Sequence, residues 1–547
     1  MRDDEALLAA ITANADEDTP RLMYADWLDE NRPDPRPSPA RGPNARAEFI
    51  RVQCRLAEMT PDHPEYTDLR DRHQDLATWL EAHAKEKRAL PGGLLSDSDS
   101  YAEYERGFAS KAMTNYRDDR RNAAARLTAA LQKVVETTPV RTLHIDNLRV
   151  AQVAEFLRRP VVDQLRALAV SVFDNDTDDV RQLATALADA PHVRNLRELR
   201  LFPALTDAAA EALAGAKSFD GLRALNLDLS TASPDAIRAL GRAAWFRNLH
   251  KLKLDTQLSD EMLTALAKLP PFPNLRGLDL ADNSFTAAGI ERLALSKAFP
   301  NLVELNLDRT NFGPAGAVDL ARAKWKLAEL HVRVCGLKNE GMVALAGSPL
   351  LAGVKIADFA TNGIGAKGMK ALAESPHATA LRNLEIGYNP IRRSGLLALA
   401  RGPALRNLTR LSLATYYLDK PRVAVKDVTE FLTHLDMSNL RELALDGMPL
   451  GAPGGHALAT STTIGRLTRL SLPNTDLTDA SMKLLLAAPH LGDLVEADLC
   501  SNKIGASAEG LKNPAQWPRL GKCSLSGNKV PTAIKGKLTR ARRGLSA

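Results

Sequence analysis

The chain has 547 residues, 45% hydrophobic and 25% charged, with 72 lysines and arginines against 66 aspartates and glutamates for a formal charge of +6. That length exceeds one compact core, no run approaches the ~20 apolar residues that span a bilayer, and MRDDEALLAA opens on acids where a secretory signal is basic and then apolar. With four cysteines (Cys54, Cys335, Cys500 and Cys523) and no CxxC pair, neither a disulfide scaffold nor a zinc ribbon fits, and a cytoplasmic protein with reduced thiols is expected.

Charge divides the chain: residues 1–139 hold 20 basic against 26 acidic side chains, and the remainder 52 against 40. At the N-terminus ITANADEDTPRLMYADWLDEN predicts a helix, a turn at Asp18-Thr19-Pro20 and a second helix from Arg21. ARAEFIRVQCRLAEM predicts a third, with Phe49, Ile50, Val52 and Leu56 available for packing. Asp16, Glu17 and Asp18, with Asp26, Asp29 and Glu30, read as helix-start charges and a solvated face rather than metal ligands. The pairing of DTPRLMYADWLDEN with RAEFIRVQCRLA is similar to the short repeat-companion domain at the front of bacterial proteins that carry leucine-rich or other repeats. Here RPDPRPSPARGPN replaces that family's short Gly-Asp linker, and the resemblance, over residues 1–58, implies architecture and no chemistry. Residues 59–139 read as further helix and a cap, with LPGGLLSDSDSYAEYERGFAS a loop leading to a docked aromatic segment of Tyr101, Tyr104 and Phe108.

A tandem pattern follows. NLRGLDLADNSF places Leu275, Leu278, Leu280, Asn283 and Phe285 at intervals of three, two, three and two, a spacing no helix or simple strand requires. It returns in NLVELNLDRTNF from Asn301, KLAELHVRVCGL from Lys326, GVKIADFATNGI from Gly353 and ALRNLEIGYNPI from Ala380. The first apolar position falls at Leu275, Leu302, Leu327, Val354, Leu381, Leu408, Leu440, Leu467, Leu494 and Leu520, and weaker copies at Leu249, Leu222, Leu196, Leu165 and Val140 bring the array to about fifteen units over 140–530. In LxxLxLxxNxL the LxL piece is a strand with alternate residues inward, and the Asn ties up backbone where the chain turns. Thr310, Cys335 and Thr475 take the Asn place in three units. Stretches such as AAGIERLALSKA and AKGMKALAESPH then carry helical periodicity. One such unit cannot bury its own leucines, so neighbours must stack.

The array resembles the leucine-rich repeat family, and its 27-residue unit with a full helix is similar to the ribonuclease-inhibitor-like subclass. The resemblance implies an α/β fold: a right-handed solenoid, or horseshoe, with a parallel concave sheet and convex helices, preceded by a small all-α module. Longer steps at SVFDNDTDDV and YYLDKPRVAVKDVTEF predict surface loops, and KGKLTRARRGLSA, within 531–547, reads as a basic tail forming a frayed, solvated helix.

No catalytic constellation stands out. Asp174, Asp176 and Asp178 imitate a calcium loop, but Asp179 and Thr185 occupy the places of its Gly and Glu. There is no HExxH, no phosphate-binding GxxxxGK[ST] loop and no GxSxG elbow, and no cofactor is implied. Cys335 and Cys523 sit at inward positions, whereas Cys500 should be exposed on the concave side. His144 and His331 fall at surface positions of strands.

Residues flanking the inward leucines must point across the concave face, where fourteen acids meet seven bases; the strip Asp279, Glu304, Asp308, Glu329, His331, Asp358 and Glu385 is the most acidic part. Its sign disfavours nucleic acid and suits a neutral to basic protein partner, although aromatic anchors are sparse there, with Phe202 the clearest and Tyr416 and Tyr417 flanking the long loop. The expected function is a non-enzymatic protein-interaction scaffold with no membrane role. The alternative is an effector or regulatory enzyme whose chemistry resides in residues 1–139 and whose repeats choose the substrate.

Overall fold

A computed structural model describes residues 3–14, 17–34, 42–59, 102–105, 108–115, 141–172, 176–255, 257–415, 423–541 and 545–546, with Glu65, Leu69, Arg72, His73, Leu76 and Ala77. They fall into two compact units, Met1–Lys253 and Leu254–Ala547.

The first unit begins with α1 (Asp3–Ala13), α2 (Thr19–Asn31) and α3 (Ala45–Ala57). Ile11, Tyr24, Ala25, Leu28, Ala47, Ile50 and Cys54 form their shared core, while Ala45, Phe49 and Val52 on another face of α3 meet Leu76. Asn44 starts α3 by accepting the Ala47 amide at 2.9 Å. Arg51 lies 2.7 Å from both Asp26 and Asp29, so an arginine on the neighbouring helix neutralises these acids. Asp16 lies outside the described residues.

Where the sequence suggests a loop and a docked aromatic segment, the chain forms an antiparallel hairpin of β1 (Ala102–Glu105) and β2 (Phe108–Asn115). β2 then runs parallel to β3 (Thr142–Leu148), from Lys111 opposite Thr142 to Asn115 opposite Asp146. The physical reason is the open edge of β3, whose backbone donors and acceptors a strand satisfies and a helix cannot. Tyr104 and Phe108 belong to these strands; Tyr101, and most of the expected helix and cap over 59–139, lie outside the described residues.

From β3 the strands β4 (Ala167–Val172), β5 (Glu198–Ala204) and β6 (Ala224–Asp228) continue in parallel, with Leu143, Leu168, Leu199 and Leu225 in register and buried. Each returns through a helix, and Asp176, Thr206 and Ser233 cap the helices at 177–188, 207–214 and 234–242. Asp176 accepts the amides of Asp178 and Asp179, and Asp178 pairs with Arg181 at 2.6 Å, so these two acids of the calcium-like run start a helix. Asp174 lies outside the described residues. β7 (Lys251–Asp255) falls at the division between the units.

In the second unit three-residue strands succeed one another: β8 (Gly277–Asp279), β9 (Glu304–Asn306), β10 (Glu329–His331), β11 (Ile356–Asp358), β12 (Asn383–Glu385), β13 (Arg410–Ser412), β14 (Glu442–Ala444), β15 (Arg469–Ser471), β16 (Glu496–Asp498) and β17 (Lys522–Ser524). All pair in parallel, and their central residues form one buried row from Leu278 through Leu305, Leu330, Ala357, Leu384, Leu411, Leu443, Leu470 and Ala497 to Cys523. Behind each strand a sharp turn leads into a helix whose apolar side covers that row. The fold is an α/β leucine-rich repeat solenoid, with the small all-α module ahead of it in the chain.

Asparagine closes the turns. Asn362 donates to the carbonyls of Val332 at 2.7 Å, Phe359 at 3.0 Å and Ala360 at 3.1 Å, and accepts the Cys335 and Leu337 amides at 2.9 and 3.3 Å. One buried side chain thus ties two coils together; Asn283, Asn389, Asn502 and Asn528 make corresponding bonds. Thr310 and Thr475 retain only part of this, each donating to the carbonyl three residues back. Cys335 turns its thiol to the Leu307 carbonyl at 2.9 Å.

The basic tail also departs from expectation. Its helix, Thr532–Ala541, buries Ile534 and Leu538, and β18 (Leu545–Ser546) pairs in parallel with β17. The two apolar residues at i and i+4 give the helix a side with which to cover the last coil, so this end is packed rather than frayed. Among the described residues no helix is long and apolar enough to cross a membrane.

Candidate functional site

The strand residues on either side of the central row form two columns on the sheet face of the second unit. One runs Gly277, Glu304, Glu329, Ile356, Asn383, Arg410, Glu442, Arg469, Glu496, Lys522; the other runs Asp279, Asn306, His331, Asp358, Glu385, Ser412, Ala444, Ser471, Asp498, Ser524. All seven residues singled out in the acidic strip are half-buried here, Asp308 from the turn after β9 and the rest from the columns.

The second column has a local structural task. Asp279 accepts the Ala281 amide at 3.1 Å, Asn306 that of Asp308 at 3.0 Å, Asp358 that of Ala360 at 2.9 Å and Asp498 that of Cys500 at 3.0 Å. A short carboxylate or carboxamide at the strand end thus closes a turn onto the amide two residues on. Part of the acidity read from the sequence is turn chemistry.

From β12 onward the charges alternate and pair. Arg410 reaches Glu385 at 3.1 Å and Glu442 at 3.6 Å, Arg469 reaches Glu442 at 3.6 Å and Glu496 at 3.4 Å, and Lys522 reaches Glu496 at 2.7 Å. Glu385 therefore belongs to a neutralised ladder and is set apart electrostatically from the other six residues. That alternation could have been read by aligning the residue before each central apolar position, which sequence totals conceal.

Between β8 and β11 no such alternation exists. Glu304 and Glu329 are direct neighbours across β9 and β10, and neither column carries a lysine or arginine there. Arg309, in the following turn, is engaged by both oxygens of Asp282. Asp308 accepts the Arg333 amide at 2.7 Å, which holds its carboxylate against the next coil. Asp308, His331 and Asp358 converge, one ligating atom of each lying within 4.8 Å of the others, and His331 Nε2 is 3.7 Å from Glu329 Oε2. Burial pushes the carboxyls of Asp308 and Asp358 above the ordinary range, and the charge of Asp308 adds to the effect on Asp358.

Phe202, the aromatic anchor that is described, lies in the first unit; it is 45% exposed and stacks on His144 at 5.2 Å. His144 Nε2 lies 3.2 Å from Asp146. Tyr416 and Tyr417 are outside the described residues. Cys54, Cys335 and Cys523 are buried, and burial pushes the Cys335 thiol up to about 11. Cys500, expected to be exposed, is only partly so: its sulfur lies 2.7 Å from Ser524 Oγ and burial raises its pKa.

No family model matches the chain, and no curated protein matches it. Among solved structures it is similar to the yeast Rad7 and Elc1 complex at 19% identity and TM-score 0.40, covering 72% of this chain and 92% of that one. It is also similar to a leucine-rich repeat protein of Leptospira interrogans at 16% identity and TM-score 0.34, covering 75% and 90%. A third similarity is to the TLR13–ssRNA13 complex at 15% identity and TM-score 0.33, covering 81% and 67%. Likeness this distant decides nothing about what this chain binds.

Proposed function

We propose that the chain is a protein-recognition scaffold without catalysis of its own, and that it binds a basic segment of another protein across Asp279, Glu304, Asp308, Glu329, His331 and Asp358. The observation that carries this is the contrast within one sheet. From β12 to β17 the acids of the ladder are interleaved with bases along the columns, while Glu304 and Glu329 are register partners across β9 and β10. Like charges opposite one another destabilise a sheet, so a face selected for folding alone gains by interleaving; a cationic partner supplies the reason not to. The negative sign also works against a phosphate backbone as ligand. Thiol catalysis is disfavoured by the cysteines, which are buried or have raised pKa values rather than lowered ones.

A partner recovered from the native cell and identified by mass spectrometry supplies the test. Its affinity for the wild-type chain should fall about tenfold or more in the combined variant Asp279→Lys, Glu304→Lys, Asp308→Lys, Glu329→Lys, with circular dichroism unchanged, and should weaken as salt is raised. Affinity that is unchanged in that variant overturns the proposal.

A further inference from the structure

We propose that Asp308, His331 and Asp358 bind one divalent first-row transition ion, with zinc as its representative. The three residues come from consecutive coils, and the ladder brings them together: His331 and Asp358 are register partners across β10 and β11. Asp308 follows β9 and is turned toward β10 by the Arg333 amide, which donates to its Oδ1 at 2.7 Å. One ligating atom of each lies within 4.8 Å of the other two. Zinc bonds of about 2.0–2.2 Å place ligand atoms roughly 3.5 Å apart, so rotations about side-chain torsions close the set without moving the backbone.

The donor chemistry is specific. Two carboxylates and an imidazole suit zinc and its first-row neighbours, whereas calcium takes six or more oxygens and gains nothing from a ring nitrogen. Each carboxylate has one oxygen fixed by a backbone amide, Asp308 by Arg333 and Asp358 by Ala360, which leaves the second oxygen of each for a metal and orients it. Glu329, 3.7 Å from the His331 ring, adds negative charge beside the ligands. Both aspartates are half-buried, and the sheet supplies no lysine or arginine in the two columns at this level. A bound cation would relieve the mutual repulsion of two partly desolvated carboxylates, which the exposed Arg333 in the turn after β10 offsets only in part.

The inference needs no protein partner, and its test is separate from that of the recognition function. Full-length protein stripped with a chelator is titrated calorimetrically with ZnCl2 and, in parallel, with CaCl2, for wild type, His331→Ala and Asp358→Asn. Circular dichroism checks each variant, and cobalt(II) absorption provides a second readout of the ligand set. We expect one zinc per wild-type chain, affinity lowered about tenfold or more in each folded variant, a cobalt spectrum lost with the same substitutions, and no saturable calcium binding. No saturable zinc binding, zinc bound equally well by both variants as an adventitious ion only, or calcium and zinc binding alike would each overturn the assignment. Partner affinity measured in chelator reports on the recognition proposal alone.

Discussion

Asn362 shows how much one side chain can hold. Its five backbone bonds join two coils in a buried turn, so Asn362→Ala strands the Cys335 and Leu337 amides and the Val332 carbonyl away from water, while the Phe359 and Ala360 carbonyls keep bonds from Asn389 and the Val334 amide. At about 1–3 kcal/mol per unsatisfied buried group, and allowing for relaxation, the expected loss is about 3 kcal/mol or more. Asn362→Thr should cost less, because Thr310 and Thr475 show that a hydroxyl in this place recovers one carbonyl bond. Urea unfolding and hydrogen exchange at the Cys335 and Leu337 amides check both values; equal losses in the two variants would contradict the account. Asp446 makes the opposite case. Burial raises its pKa, and its Oδ1 has no hydrogen-bond partner. A folded-state pKa above the unfolded one means that the stability linked to this group is present below the unfolded value and lost as pH rises through the folded one. Asp446→Asn should therefore raise the melting temperature at pH 7, with the advantage over wild type vanishing as the pH falls below the unfolded carboxyl value of about 4. The asparagines were legible in the sequence because they recur at one phase. The residue before them was not: Asp282, Arg309, Val334, Thr361, Tyr388, Asn474 and Ser501 all take positive φ of 54–61°. Side chains other than glycine rarely adopt this conformation, so composition carries no mark of it, and β-branched Val334 and Thr361 are held there by the turn around them.

At the scale of the element, the strand ladder joins stability to function. Leu278, Leu305, Leu330 and Leu384 were identified by spacing alone, and the structure buries each to 2% exposure or less. Spacing succeeds here because a three-residue strand has only one inward central position, and every coil must fill it. Spacing said nothing about which acids were paired, since pairing depends on the neighbouring coil some 27 residues away rather than on the local pattern. The prediction at this scale is a reversal of sign between two substitutions of similar kind. Glu329→Lys places a base opposite Glu304 and should stabilise the chain by about 0.5–1 kcal/mol. Arg469→Glu puts a third acid between Glu442 and Glu496 and should destabilise it by about 1–2 kcal/mol, less at high salt. Denaturation midpoints at low and high ionic strength measure both effects. If Glu329→Lys were also destabilising, the acids at β9 and β10 would not be in electrostatic conflict, and the argument for a cationic partner would lose its foundation.

Across the whole chain, repeat architecture makes the ends decisive, because a stack of coils exposes an apolar cross-section wherever it stops. The sequence showed the array through its period, but it did not show how either end closes, since a cap is used once and leaves no repeat to recognise. In the first unit a strand, β2, pairs with β3; in the second, the helix Thr532–Ala541 and β18 follow β17. Both ends use backbone pairing, which sequence composition scarcely constrains: KGKLTRARRGLSA looks solvated by its charge, yet Leu545 pairs with Cys523, and Leu538 is fully buried. Deleting residues 531–547 should therefore expose the β17 edge and the apolar side of the last coil, two features that favour association between chains. The expected result is a truncated protein with reduced solubility, in which hydrogen exchange accelerates first at β16 and β17 and fades toward β12, because each coil is supported only by its neighbours. A truncated chain that remained monomeric, with exchange at Cys523 unchanged, would show that these residues are dispensable and that the last coil closes itself.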